Sequence, residues 1–268
     1  MIRFDDSHID ALIDGHARAE LKIYTLGQFK LDLVDHEILD NWGRDKAIQL
    51  FQFFLISRNR TALHKEQIMD RLWEGDATDQ NFKVALHGIN KVIEPNKKAR
   101  SKPKFLQRQG ASYKLNTEHV WLDCEAMESF LEIGNNASSG QPELAIIAYQ
   151  YAVKLYNGVF LPNRIYEDWT STEREKLQML ALNGYISLAE LILEDQPDET
   201  IRLTEEALSI DPTWEEAYRI QMMAHMINGN RPQAIRTFHK CKATLQEEFG
   251  IDPLPNTIQL LKQIQGKK

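Results

Sequence analysis

The sequence predicts a mainly α protein in two parts, a small N-terminal α+β unit followed by an all-α repeat region. Three observations predict it. Short period-2 runs and a glycine-centred hairpin frame three helical segments within residues 21–117. From about residue 118 onward the pattern is helical, and two stretches of it repeat at a spacing of 34 residues. Charge divides at the same place. Residues 21–117 hold seventeen basic against eleven acidic side chains, net +6, while residues 118–268 hold thirteen against twenty-three, net −10. Residues 1–20 carry −3 and complete a chain of formal charge −7.

Each element follows from local pattern. LKIYT (21–25) and QFKLDL (28–33) alternate in polarity around Leu26-Gly27 and read as a small antiparallel sheet. RDKAIQLFQFFLIS (44–57) sets Ala47, Leu50, Phe51, Phe54 and Leu55 on one helical face. HKEQIMDRLW (64–73) does the same with Ile68, Met69 and Leu72. DQNFKVALHGINKVI (79–93) is a third helix, with Thr78 placed as N-cap and Pro95 as its stop. Its apolar stripe is Phe82, Leu86, Ile89 and Ile93. KFLQR and SYKL flank Gln109-Gly110-Ala111 as a hairpin. Sheet, three helices, hairpin is the order of a winged helix-turn-helix, with the hairpin as wing.

The repeat region begins with DCEAMESFLE (123–132), a helix for which Asp123 is the natural cap. GNNASSGQPE (134–143) reads as a polar connector. Farther on, Thr200, Thr204 and Ala207 match Ala234, Phe238 and Cys241 at 34 residues, the period of tetratricopeptide-type helix hairpins. Ala145, Tyr149 and Ala152 keep the same internal spacing and mark a degenerate first unit. An insertion containing NGVFLPNRIYEDW separates it from the second. Among the aromatics Trp169, Tyr166, Trp214 and Tyr218, core packing is the default expectation and an interface anchor the second.

Several function classes are disfavoured. No apolar run is long enough to span a bilayer, and the N-terminus lacks a signal-peptide pattern, so no membrane association is expected. Two distant cysteines, Cys124 and Cys241, fit free thiols in a cytoplasmic protein. The eight histidines show no metal-ligand spacing, and nucleophile-elbow, Walker and G-x-G-x-x-G patterns are absent. The expectation is a protein that is not an enzyme and needs no cofactor.

W-x-R-x-K-A (42–47), VALHGINKVIEP (84–95), GASYKLN (110–116), WLDCEAME (121–128), YNGVFLP…YEDW (156–169) and EEFGIDPLPNT (247–257) occur in one order. In that order the chain resembles the bacterial transcriptional activators of the antibiotic-regulatory-protein (SARP) type over roughly residues 21–265. Those proteins join an OmpR/PhoB-like winged helix-turn-helix to a tetratricopeptide-like bacterial transcriptional activator domain. The resemblance implies a DNA-binding part at 21–117, an activator part at 118–268, and contacts with RNA polymerase or fellow regulator domains. Residues 1–20 belong to neither. Their Ile9, Leu12 and Ile13 form one face of a short helix, either a docking helix or the stub of an upstream domain.

Double-stranded DNA is the expected partner of the basic part. The residues expected outward on the third helix include Gln80, Lys83, Val84, His87, Asn90 and Lys91, and among them Lys83, His87 and Asn90 are the expected base-edge contacts. Phosphate contacts are expected from Lys91, Lys97, Lys98, Arg100, Lys102, Lys104, Arg108 and Lys114. Arg44, Arg58 and Arg60 bracket the first helix and are expected to add to them. One departure from the family stands out: arginines are usual at the positions of Gly88 and Asn90. A second reading therefore stays open, a protein-docking module whose winged helix no longer reads DNA. The acidic repeat part is expected to serve homodimerisation, polymerase contact or sensing of an upstream domain.

Overall fold

The computed structural model describes residues 5–34, 42–58, 62–73, 75, 78–98 and 100–266. It divides into two compact units: one of residues 11–126 and 157–175, the other of residues 1–10, 127–156 and 176–268.

Helix α1 (Asp6–Arg18), which belongs to the first unit from residue 11 onward, leads into β1 (Leu21–Tyr24), which pairs antiparallel with β2 (Lys30–Leu33) through Leu21 opposite Leu33. His16 of α1 meets the Trp121 ring edge-on at 4.6 Å. The inward residues of α1 are Ile9, Leu12 and His16, while Ile13 is exposed, so the face is rotated from the expected one. Helix α2 (Asp45–Ile56) buries Ala47, Leu50, Phe51, Phe54 and Leu55, the five positions its periodicity picks out. Strand β3 (Leu63–His64) then enters α3 (Lys65–Leu72), whose N-cap is His64, and α4 (Asp79–Ile93) follows. Strands β4 (Leu106–Gln109) and β5 (Ser112–Leu115) form the hairpin, with Gly110 at φ 64° where a side chain would be strained. β3 joins its edge in the order β3-β5-β4. β6 (Val120–Leu122) lies parallel to β1 and completes a second sheet, β2-β1-β6.

Three polar clamps tie distant stretches of this unit together. The Asp123 carboxylate accepts from the Thr25 amide (2.7 Å), the Thr25 hydroxyl (2.6 Å), the Leu26 amide (2.9 Å) and the Cys124 amide (2.8 Å). Besides the first-turn amide of Cys124, the side chain expected to cap a helix anchors the end of β1. Burial raises its pKa, with the Thr25, Leu26 and Cys124 donors pulling the other way. Arg58 is buried and donates to Glu125 (2.5 Å), Glu173 (3.3 Å) and the Leu55 carbonyl (2.8 Å). Arg164, also buried, donates to Gln52 (2.9 Å) and Asp45 (2.9 Å). The segment carrying Arg164, read from sequence as an insertion between repeats, thus completes the first unit. Its backbone joins the end of β1 through Gly27 N–H to the Val159 carbonyl (3.1 Å) and Leu161 N–H to the Thr25 carbonyl (2.9 Å).

The second unit is built from α5 (Asp123–Ala137), α6 (Pro142–Leu155), α7 (Asp168–Ile192), α8 (Pro197–Ile210), α9 (Glu215–Ile227), α10 (Arg231–Phe249) and α11 (Pro255–Gln265), with α5 and α7 contributing residues to both units. α6, α8, α10 and α11 each carry proline at the first or second position, where its missing N–H costs nothing. The residues predicted to repeat are all inside: Ala145, Tyr149 and Ala152; Thr200, Thr204 and Ala207; Ala234, Phe238 and Cys241. α9 packs between α8 and α10, and Met222, Phe238 and Ile264 meet in one apolar cluster. The connector expected at 134–143 is shorter, because α5 runs on to Ala137. Gly134 is a helix residue at which a Cβ would sit 2.7 Å from the Tyr149 ring, so close ring packing selects glycine there. The aromatics divide: Tyr218 is core, Trp169 is half-buried against Phe53 at 5.5 Å, and Tyr166 is 96% exposed rather than packed inside.

Candidate nucleic-acid interface

α4 starts as its sequence dictates, with the Thr78 hydroxyl accepting the Asn81 amide at 3.1 Å. Lys65 reaches Asp79 in the first turn at 2.7 Å, and that hydrogen bond holds the Asp79 carboxyl below its usual range. The buried face is Phe82, Ala85, Ile89, Val92 and Ile93. Leu86, assigned to that stripe by spacing, is only half-buried, and Val92 takes a place in it. Gln80, Lys83, His87 and Lys91 are left exposed, with Val84 half-buried beside them.

The wing lies against this helix through aromatic packing. Tyr113 of β5 meets Phe82 edge-on at 5.1 Å, and Trp73 flanks the same ring at 6.2 Å. Arg108 donates to the Gly110 carbonyl at 2.7 Å and lies 6.0 Å from the Tyr113 ring centre, which steadies a cation near the hairpin tip. Lys114 is exposed. The linker between α4 and the wing is closed by Glu94, which accepts from the Lys104 and Phe105 amides at 2.8 and 3.0 Å. Within that loop Lys97 donates to the Ser101 carbonyl at 2.8 Å, and Arg100 holds φ 67°. Lys98, Arg100 and Lys102 are exposed, and no carboxylate among the described residues forms an ion pair with them. Lys104 is different: it is half-buried and paired with Glu20.

Two predicted positions depart from their expected orientation. Arg58 is held in its buried cluster with Glu125 and Glu173, so its guanidinium does not face solvent; its partners lie far downstream in sequence. Asn90 is half-buried, and its Oδ1 is shut off from solvent with no hydrogen-bond partner among the described residues. Arg60 lies outside the described residues, whereas Arg44 is exposed at the start of α2. Gly88 has a packing reason. A Cβ there would stand 3.0 Å from the Trp42 carbonyl and 3.1 Å from the Ala47 methyl, so an arginine would have to displace the start of α2.

Pattern reading missed a cavity of about 760 Å³ on the flank of α4, lined by both ends of the α2–α3 pair and by Val84, Gly88 and Lys91. It brings Arg44, Lys46 and Arg71 together with Lys91. The signal for two of these was visible in W-x-R-x-K-A, but Arg71 sits in an ordinary amphipathic helix. Lys46 is already committed, donating to Gln49 at 2.7 Å and to the Leu72 carbonyl.

The family described as bacterial transcriptional activator domain matches residues 122–265. A search of curated proteins finds no match. Among solved structures, Mycobacterium tuberculosis EmbR in complex with a low affinity phosphopeptide superposes with a TM-score of 0.76 at 17% identity, over 93% of this chain and 66% of that one. The likeness shows the fold, and this chain spans just under two thirds of the EmbR chain. The TPR2AB domain of yeast Sti1 in complex with pHSP90 (TM-score 0.29, 12% identity, 82% of this chain and 96% of that one) is far more distant. MamA (0.26, 14%, 79% and 99%) is equally so. Among the described residues, no helix is long and apolar enough to cross a membrane.

Proposed function

Because the chain belongs to the bacterial transcriptional activator domain family, we propose that it is a transcriptional regulator that binds duplex DNA through α4 and the wing. Residues 21–117 are the DNA-reading part, 118–268 the activator part and 1–20 an extension. The observation that carries this reading is the exposed row Gln80, Lys83, His87 and Lys91 on an N-capped helix, with the wing docked beside it by Tyr113 on Phe82. Lys83 and His87 are the base-reading residues. Lys91, Lys98, Arg100, Lys102, Arg108 and Lys114 supply the phosphate contacts, with Arg44 and Lys97 at the margins. Lys104 enters only by leaving Glu20, and Asn90 only by turning its amide outward. The repeat unit, acidic and built from stacked hairpins, contacts RNA polymerase, a fellow regulator or a second copy of the chain.

The test is fluorescence anisotropy of the full chain with duplex DNA over a range of salt. If about five phosphates are neutralised, the log–log slope of affinity against salt is about −4 to −5. Arg108→Glu and Lys102→Glu weaken all duplexes alike, while Lys83→Ala and His87→Ala change the ranking among sequences. The second reading, a docking module that does not read DNA, is favoured by the missing cation at Gly88 and the inward Asn90 oxygen. Undetectable or salt-insensitive binding selects it.

A further inference from the structure

We infer that the cavity beside α4 is a binding site for a small phosphorylated ligand. Its volume of about 760 Å³ lies in the range of small-molecule pockets and exceeds what a lone phosphate fills. Three of its lining cations, Arg44, Arg71 and Lys91, are exposed, and none is ion-paired with a carboxylate among the described residues.

Glu167 in the lining and Asp45 beside Arg44 are both engaged by other donors. Glu167, which lines the cavity, accepts from the Gln49 amide at 2.9 Å on one oxygen and from the Trp169 indole at 3.0 Å on the other. Asp45, in the first turn of α2, is taken by the Arg164 guanidinium. That hydrogen bond keeps the Asp45 carboxyl below its ordinary range. Among the described residues no carboxylate is ion-paired with Arg44, Arg71 or Lys91, and Glu167 is the one acid in the cavity lining. The start of α2 lines the same wall through Gly43, Arg44 and Lys46, and no side chain caps it.

Charge number selects the ligand class. A monocarboxylate satisfies one of three cations, whereas a phosphate ester carries up to two charges and three acceptor oxygens that match guanidinium forks. Trp42 and Trp73 are buried in the wall and give the organic part an apolar surface. The same phosphate chemistry has a second source, the backbone of a duplex, and the test separates the two. The cavity shares Arg44, His87 and Lys91 with the proposed DNA face, while Arg71 belongs to the cavity alone, and the proposal does not require that α4 reads DNA.

The experiment is calorimetric titration of the full chain with inorganic pyrophosphate, without DNA, at constant ionic strength. The expected result is saturable one-site binding, weakened about tenfold by Arg71→Gln and by Arg44→Gln. Lys154→Gln, an exposed lysine on α6, leaves it unchanged. Both arginines are exposed, so their removal spares the fold, which circular dichroism checks. Absence of saturation, or saturation indifferent to both arginine variants, overturns the proposal. Loss of duplex affinity in Arg71→Gln without saturable pyrophosphate binding also overturns it, assigning the cations to the duplex backbone. Saturable, variant-sensitive pyrophosphate binding in a chain that binds no duplex upholds the site and removes the DNA reading instead.

Discussion

In the unit of residues 11–126 and 157–175, Arg58, Asp123 and Arg164 are each less than a tenth exposed, whereas the buried polar side chains described in the other unit are Thr200, Thr204, Gln221, Thr237 and Thr257, all uncharged. The difference follows from how each unit is wired. Repeat hairpins meet their neighbours in sequence, so small side chains and apolar contact suffice to fix their spacing. The first unit joins stretches about a hundred residues apart, such as Thr25 with Asp123 and Gln52 with Arg164. A buried charge tolerates only a partner at the right place. It adds little net stability over an apolar substitute, but it penalises a wrong docking heavily.

The largest expected effect breaks that contrast directly. Arg58→Ala removes the buried guanidinium that joins Glu125, Glu173 and the Leu55 carbonyl. It destabilises the first unit by about 3 kcal/mol, the lower end for loss of a buried ion-pair member because Glu125 stays partly solvated. Hydrogen exchange should show protection lost in β1 and α2 and kept in α8–α10. Equal loss in both units would mean that they unfold together.

Next in size is a change confined to the repeats. Gly134→Ala drives a methyl into the Tyr149 ring, an overpacking cost of about 1–3 kcal/mol, offset by about 1 kcal/mol of helix propensity. The net loss, read from urea unfolding, should be smaller than that of Arg58→Ala and should appear in α5 and α6. A gain in stability would show that the ring moves aside at no cost.

The smallest effect is one the two units share. Burial depresses the pKa of His16 in the first unit and of His225 in the second. For His16 the charge of Lys22 adds to the depression and Asp32 opposes it; for His225 Glu205 opposes it. The unfolded chain therefore binds more protons below the ordinary histidine value of 6.5. Stability is complete above that value and declines as pH falls from it toward each depressed pKa. His16→Gln should flatten this decline in the first unit only, and His225→Gln in the second only, by hydrogen exchange at pH 7.5 and 5.5 (about one unit on either side of the transition).

Local pattern made much of this architecture legible. The bounds of α4, its Thr78 cap, the turn at Gly110 and the repeating buried positions all rest on contacts within a few residues, or on one fixed period. What escaped has a common cause. β6 is three residues long, and its strand identity comes from pairing with β1 about a hundred residues earlier. Arg58 looks like any cation at a helix end until Glu125 and Glu173 arrive from downstream. Gly134, set among asparagines and serines, reads as loop because the ring that selects it is on another helix. On α4, spacing placed Lys83, His87 and Lys91 on the exposed face, where they lie, but Asn90 is at the edge of the buried stripe, where a small rotation of the helix decides which way its amide points. The cavity was hidden for the same reason, since three helices contribute its cations.

The Leu161 amide bond to Thr25 and the grip of Arg164 on Asp45 and Gln52 carry a consequence for biosynthesis. The ribosome delivers the chain from its N-terminus, yet the wall that completes the first unit is encoded after the helices α5 and α6. While that stretch is still inside the exit tunnel, Gln52 has no guanidinium to meet and the end of β1 lacks its neighbour. A gene fusion that swaps cassettes at residue 117 would leave the upstream half in this unfinished condition permanently.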